Sequence, residues 1–126
     1  MNPFNSVLEQ YFNAWNKAFK SREVNIIRSF MSKDFKGYWA HSGMIDPEQY
    51  SYDYDLQGVI NQYETDTTKS FETLSISERK DGEQVLVLGT EKSIINGRIH
   101  QAKCMFIWRL ESNEWKLLKE YIELEA

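Results

Sequence analysis

The chain has 126 residues, enough for one hydrophobic core and too few for two, so residues 1–126 are expected to form a single domain. A hydrophobic fraction of 41% and an aromatic fraction of 14% belong to a globular chain and exclude a disordered one. The net charge of −4, with 15 basic residues scattered along the sequence, removes the electrostatic case for a nucleic-acid partner or an anionic membrane surface.

Cys104 is the sole cysteine, so an internal disulfide is impossible and no thiolate metal site can be built. The apolar runs are short, VLVLG at 85–89 being typical, and the start MNPFNSVLEQYF lacks the basic segment and long apolar stretch of a secretory leader. A cytoplasmic protein with no membrane span is the expectation.

Ser6-Val7-Leu8-Glu9 reads as a capping box, and Leu8, Tyr11, Phe12, Trp15, Ala18 and Phe19 then recur at helical spacing, predicting a helix over 6–20. Ser21 can cap a second helix carrying Val24, Ile26, Ile27, Phe30 and Met31. FKGYWAH at 35–41 reads as a first strand whose alternation sends Tyr38 and Trp39 to opposite sides. Asp46-Pro47-Glu48-Gln49 has the cap-and-proline start of a short helical turn. Leu56, Val59, Ile60 and Tyr63 predict a third helix, started from Asp53 and Asp55.

After Thr68 the period changes to two, and residues 71–79, 83–95, 98–110 and 114–124 read as strands. Turns are expected at Asp81-Gly82, Asn96-Gly97 and Ser112-Asn113. The Asn96-Gly97 turn pairs Ile95 with Arg98, which sets Thr90 opposite Lys103 and Leu88 opposite Met105. One face then carries Leu86, Leu88, Thr90, Lys92 and Ile94 beside Ile99, Gln101, Lys103, Met105 and Ile107. The other carries Val85, Val87, Gly89, Glu91 and Ser93 beside His100, Ala102, Cys104, Phe106 and Trp108. Continuing through Ser112-Asn113 places Glu120 on the first face, opposite Met105 and diagonal to Lys103. Both faces are largely apolar, so something must cover the second, and a symmetric partner is the economical cover.

The helix motif YFNAWNKAF, the run IIRSFMSKDFKGYW and the ending FIWRLESNEWKLLKEYIE, in that order, resemble the NTF2-like superfamily. That group includes SnoaL-like polyketide cyclases, ketosteroid isomerases, scytalone dehydratases and limonene epoxide hydrolases. The resemblance implies an α+β cone, with N-terminal helices packed in a strongly curved antiparallel sheet, a pocket at the open end, and a homodimer through the outer sheet face. It does not imply one activity. In the place of the epoxide hydrolases' arginine and aspartate this chain has Thr90 and Lys92, and the ketosteroid isomerases' first-strand aspartate falls near Trp39.

Within that frame Glu120 and Lys103 are the candidate catalytic pair, opposite charges on a face where most other residues are Leu, Ile and Met. The plain alternative is an ion pair that only stiffens the cone. Tyr11, Trp15, Phe19, Tyr38, Trp39, His41, Tyr54, Thr90, Lys92 and Met105 are the candidate ligand contacts, with Tyr50, Tyr52 and Tyr54 forming a rim and lid. His100 and Cys104 fall on the face assigned to the partner. The two histidines have no suitably spaced carboxylate, so no metal is expected, and with no Gly-rich phosphate loop in the sequence no cofactor is expected. The implied role is to bind a small, mostly apolar organic molecule, with or without cofactor-free acid–base chemistry. The alternative is a non-catalytic dimeric module with a filled pocket.

Overall fold

The computed structural model describes residues 4–125. In chain order they form α1 (Phe4–Ser21), α2 (Asn25–Ser29), β1 (Met31–His41), β2 (Glu48–Ser51), α3 (Leu56–Asn61), β3 (Thr68–Arg79), a 3₁₀ turn at Lys80–Gly82, β4 (Gln84–Ile95), β5 (Arg98–Glu111) and β6 (Glu114–Leu124). No helix among these residues is long and apolar enough to cross a membrane.

The helical stripe of α1 is buried as its period requires, from Leu8 and Tyr11 to Ala18 and Phe19. The capping box is not used. The helix already runs through Phe4, and the Ser6 hydroxyl accepts from the Gln10 side chain at 3.3 Å. Ser21 likewise ends α1 and accepts from the Glu23 amide, while α2 starts after Val24 with no side-chain cap. α3 starts from Asp55 as expected, its carboxylate accepting from the Gly58 amide at 3.0 Å.

The expected helical turn at 46–49 is instead a bend that runs into β2, with Glu48 and Gln49 already paired to β1 and Gly37 opposite Tyr50. Pro47 sits just before this edge strand, where its missing N–H leaves no ladder bond unmade.

The six strands form one sheet in the order β2-β1-β6-β5-β4-β3, antiparallel everywhere except between β1 and β6. The β4–β5 register is the one that Asn96-Gly97 dictates: Ile95 faces Arg98, Thr90 faces Lys103 and Leu88 faces Met105. Both turn residues have positive φ, 53° and 75°. Ser112 and Asn113 form a matching turn with φ of 50° and 67°, and Glu111 faces Glu114.

Two corrections follow from the sheet, and both bear on the site. Its concave side, covered by the helices, is the face assigned above to a partner: Val85, Val87, Glu91, Ala102, Cys104, Phe106 and Trp108 are all buried there. Leu88, Ile94, Ile99 and Met105 are exposed on the convex side. Apolar counts do not separate the faces; size does. Gly89 and Ala102 leave room where other groups press, and Trp108 and Phe106 fill the closed end against Tyr11 of α1, whose ring meets Trp108 edge-on at 5.3 Å.

The second correction is a β-bulge. Trp108 faces Leu117 but Ile107 faces Lys119, leaving Leu118 as an extra residue in β6. This one-residue slip turns Glu120 from the face of Met105 to that of Phe106.

Gly89 gives the packing a direct test. A Cβ there would lie 2.3 Å from the Phe71 ring and 2.4 Å from the Glu72 carbonyl oxygen. Because backbone cannot move aside, Gly89→Ala is expected to cost about 1–3 kcal/mol in urea denaturation.

Candidate functional site

The concave face does not close completely over the helices. A cavity of about 570 Å³ remains at the open end, walled by α1 (Tyr11, Trp15, Phe19), the segment from β2 to α3 (Tyr50, Tyr54, Val59), and the inner residues of β4, β5 and β6. That volume falls in the range of small-molecule sites.

Glu120 stands on the cavity wall, only 6% exposed. The bulge aims it inward, and β1 places Gly37 beside it in parallel register. A Cβ on Gly37 would lie 2.3 Å from the Tyr50 ring, so the glycine is what lets that ring lie across β1. From there the Tyr50 hydroxyl donates to Glu120 Oε2 at 2.5 Å.

Burial pushes the Glu120 carboxyl up to about 7; the Tyr50 hydrogen bond and Lys69 hold it down, while Glu91 pushes it further up. The reverse influence is also felt. Burial first, and then the Glu120 charge, raise the hydroxyls of Tyr11, Tyr50 and Tyr54 well above the ordinary phenol value, so all three stay protonated donors. Tyr50→Phe is expected to lift the Glu120 pKa further above 7, read by carboxyl-carbon NMR titration, because the bond it removes favours the ionised form.

The tyrosines are held by arginine. Arg28 of α2 donates to the Tyr52 and Tyr54 carbonyls, the second at 3.0 Å, and its guanidinium lies 5.5 Å from the Tyr54 ring centre. Arg22 donates to the Ile60 carbonyl at 2.7 Å, fixing the end of α3.

A second charged group faces the cavity. Lys69 Nζ lies 3.0 Å from Glu91 Oε1, their side chains 16% and 9% exposed, and 4.2 Å from the centre of the Trp15 ring. Burial works against the ammonium, yet Glu91, joined by Tyr63 and Glu120, offsets it and the Lys69 pKa is raised. Asn16 fixes the strand at this point, its side chain donating to the Lys69 carbonyl and accepting from the Lys69 amide.

Of the expected contacts, Glu120, Tyr11, Trp15, Phe19, Trp39 and Tyr54 line the cavity. Lys103, Thr90, Lys92 and Met105 do not. They stand on the convex face, and Lys103 is 3.6 Å from Glu125 rather than beside Glu120. The bulge and the inverted faces are the reason. Tyr38 shares that convex side with Tyr121, opposite to Trp39. His41 is exposed at the end of β1, its Nδ1 3.0 Å from the Ser42 carbonyl. His100 lines the cavity mouth and Cys104 is buried on the concave face; neither lies on the convex face.

Lys69, Glu91, Thr67 and Ser93 belong to the cavity without having been singled out as contacts, and Tyr50, expected at the rim, stands on its wall. A signal existed for Glu91, a lone carboxylate in the alternating series Val85, Val87, Gly89. It is the same kind of signal that picked out Glu120.

No family model and no curated protein matches the sequence. Solved structures do resemble the fold. An NTF-2 like protein of unknown function from Shewanella oneidensis MR-1 is 8% identical with a TM-score of 0.69, covering 97% of this chain and 99% of its own. Another from Silicibacter pomeroyi DSS-3 is 10% identical with a TM-score of 0.69, covering 98% and 99%. A ketosteroid isomerase-like protein from Erwinia carotovora atroseptica SCRI1043 is 14% identical with a TM-score of 0.59, covering 98% of each chain. The chain has the NTF2-like α+β cone fold. Identities this low carry the fold and leave the chemistry to the residues of the cavity.

Proposed function

We propose that the protein binds a small, mostly apolar organic molecule in the cone cavity and performs cofactor-free acid–base chemistry on it, of the isomerase, dehydratase or cyclase type. The observation that carries this reading is Glu120: a buried carboxyl on the cavity wall, near pH 7 in its ionisation, touched by one tyrosine hydroxyl and close to two more. Once ionised, Glu120 takes a proton from carbon next to a carbonyl. The C–H electron pair moves into the carbonyl, and its oxygen becomes an enolate stabilised by the hydroxyls of Tyr11 and Tyr54. Where the substrate carries a β,γ double bond the enolate is a dienolate, and return of the proton at the γ-carbon completes an isomerisation.

The test is hydrogen exchange at the α-carbons of 2-tetralone in deuterium oxide, followed by NMR. Wild type is expected to accelerate it, with a rate that rises through about pH 7 as Glu120 ionises. Glu120→Gln is expected to reduce the acceleration by a factor of about 100 or more. Equal rates in the two proteins would sink the reading.

The open cavity speaks against a filled, purely structural cone. The convex face supports the other half of the expectation, a homodimer: Leu88, Ile94, Ile99 and Met105 are exposed on adjacent strands, and no helix among the described residues covers them. Met105→Glu is then expected to convert a dimer to a monomer in sedimentation at micromolar concentration. Wild type sedimenting as a monomer would refute it. The single buried thiol of Cys104 suits a reducing compartment such as the cytoplasm.

A further inference from the structure

We propose that the end of the cavity formed by Thr67, Lys69, Glu91 and Ser93 is a second, polar subsite, and that it selects a neutral ligand bearing a hydroxyl or carbonyl oxygen opposite the group that meets Glu120. The inference rests on the acid–base reading above and names the class of molecule that the same cavity takes.

Thr67 supplies the first reason. It is fully buried, lines the cavity, and its Oγ1 has no hydrogen-bond partner. A buried hydroxyl left unsatisfied is costly, so such a group next to a cavity marks where a ligand oxygen or bound water belongs. Ser93 stands on the same wall, in register with Lys69, and is 9% exposed. Two hydroxyls therefore line the cavity beside the Lys69–Glu91 pair, both able to donate to an oxygen.

The count of charges gives the second reason. Lys69 is already matched by Glu91 at 3.0 Å and rests on the Trp15 ring. Glu120 is the other acid on the wall, and Glu48 stands at the mouth. A ligand carboxylate would meet these acids with the nearby cation committed, so a neutral oxygen is accepted and an anion is refused.

Spacing gives the third. Glu91 faces Ala102 and Glu120 faces Phe106, on opposite sides of β5 and four residues apart, about 13 Å along the strand. Trp15, Ala102, Phe106 and Ile122 form the apolar wall between the two ends. The cavity is polar at both ends and greasy in the middle, which describes a fused-ring body oxygenated at each end.

The experiment measures binding of 2-tetralone, 6-hydroxy-2-tetralone and 6-carboxy-2-tetralone by titration calorimetry. For wild type the hydroxy compound is expected to bind about tenfold more tightly than the parent, one net hydrogen bond, and the carboxy compound more weakly than the parent. Thr67→Val should erase the hydroxyl preference, so that it binds the hydroxy compound and the parent equally, and should melt no lower than wild type, since it removes an unsatisfied buried group. Ser93→Ala should reduce the preference in the same direction. Equal binding of the hydroxy compound and the parent, a preference that survives Thr67→Val, or tight binding of the carboxy compound overturns the subsite alone, and the Glu120-dependent exchange of 2-tetralone then still stands. Failure of all three probes to bind at millimolar concentration overturns the subsite and the cavity reading together.

Discussion

Glu120→Gln is expected to make the protein more stable at pH 8 by about 3 kcal/mol while changing its stability little at pH 4. In the folded chain the carboxyl keeps its proton up to about pH 7, against an ordinary value of 4.5 in the unfolded chain. Between those two values the folded state holds a proton that the unfolded state has released. Stability from this group is therefore fully present below pH 4.5 and is lost as pH rises towards 7, the reverse of the usual carboxylate. Glutamine has no proton to lose, and its carbonyl oxygen can still accept from Tyr50. Urea denaturation at several pH values between 4 and 8 reads the difference. A gap between the two proteins that does not change with pH would show that the cavity does not desolvate Glu120.

The second large effect concerns Lys69 and Glu91. Lys69→Met is expected to cost about 3 kcal/mol at pH 7, because it strands a carboxylate that is 9% exposed. Glu91→Leu strands the ammonium and should cost a similar amount. The double variant is expected to lie within about 1 kcal/mol of wild type, since two apolar groups of matching size replace the pair. All three variants keep the strand in place, because Asn16 grips the Lys69 backbone rather than its side chain. The single variants also move Glu120 in opposite directions: losing Lys69 raises its pKa and losing Glu91 lowers it. Single costs that are small and simply add would mean the pair behaves as a solvated surface bridge.

How much of this could be read from residues depends on the range of the interaction involved. Turn chemistry is local, so Asn96-Gly97 and Ser112-Asn113 set their hairpins correctly, and β4 and β5 register residue for residue. The capping residues of α1 and α2 were misread because tertiary packing, not the first turn, sets where those helices begin. β2 was missed because a four-residue edge strand exists only by its pairing with β1.

The faces of the sheet were inverted for a similar reason: alternation shows that two faces exist, and only the helices decide which is inside. The extra Leu118 is invisible to any count of alternating residues, and it reverses every side chain after it. The two errors cancel for Glu120, which was expected in the cavity and stands there, but not for Lys103, Thr90, Lys92 and Met105, which are outside. Tyr50 came to the carboxyl across 70 residues, through a contact no local pattern encodes.

The parallel pairing of β1 with β6 has a consequence for how the chain is made. Every other pair of neighbours in the sheet is consecutive in sequence, but β1 and β6 lie at opposite ends of it. On a ribosome adding roughly 5–20 residues per second, β1 waits several seconds for its partner. Over that interval its edge is an open template for wrong pairing, and Lys33, Asp34 and Lys36 put exposed charge along it. The helices, β1 and β2 can gather meanwhile, bringing Tyr11, Tyr50 and Tyr54 together. The carboxyl arrives only with the final strand, so a nascent chain that has not yet released β6 holds the tyrosines and no Glu120.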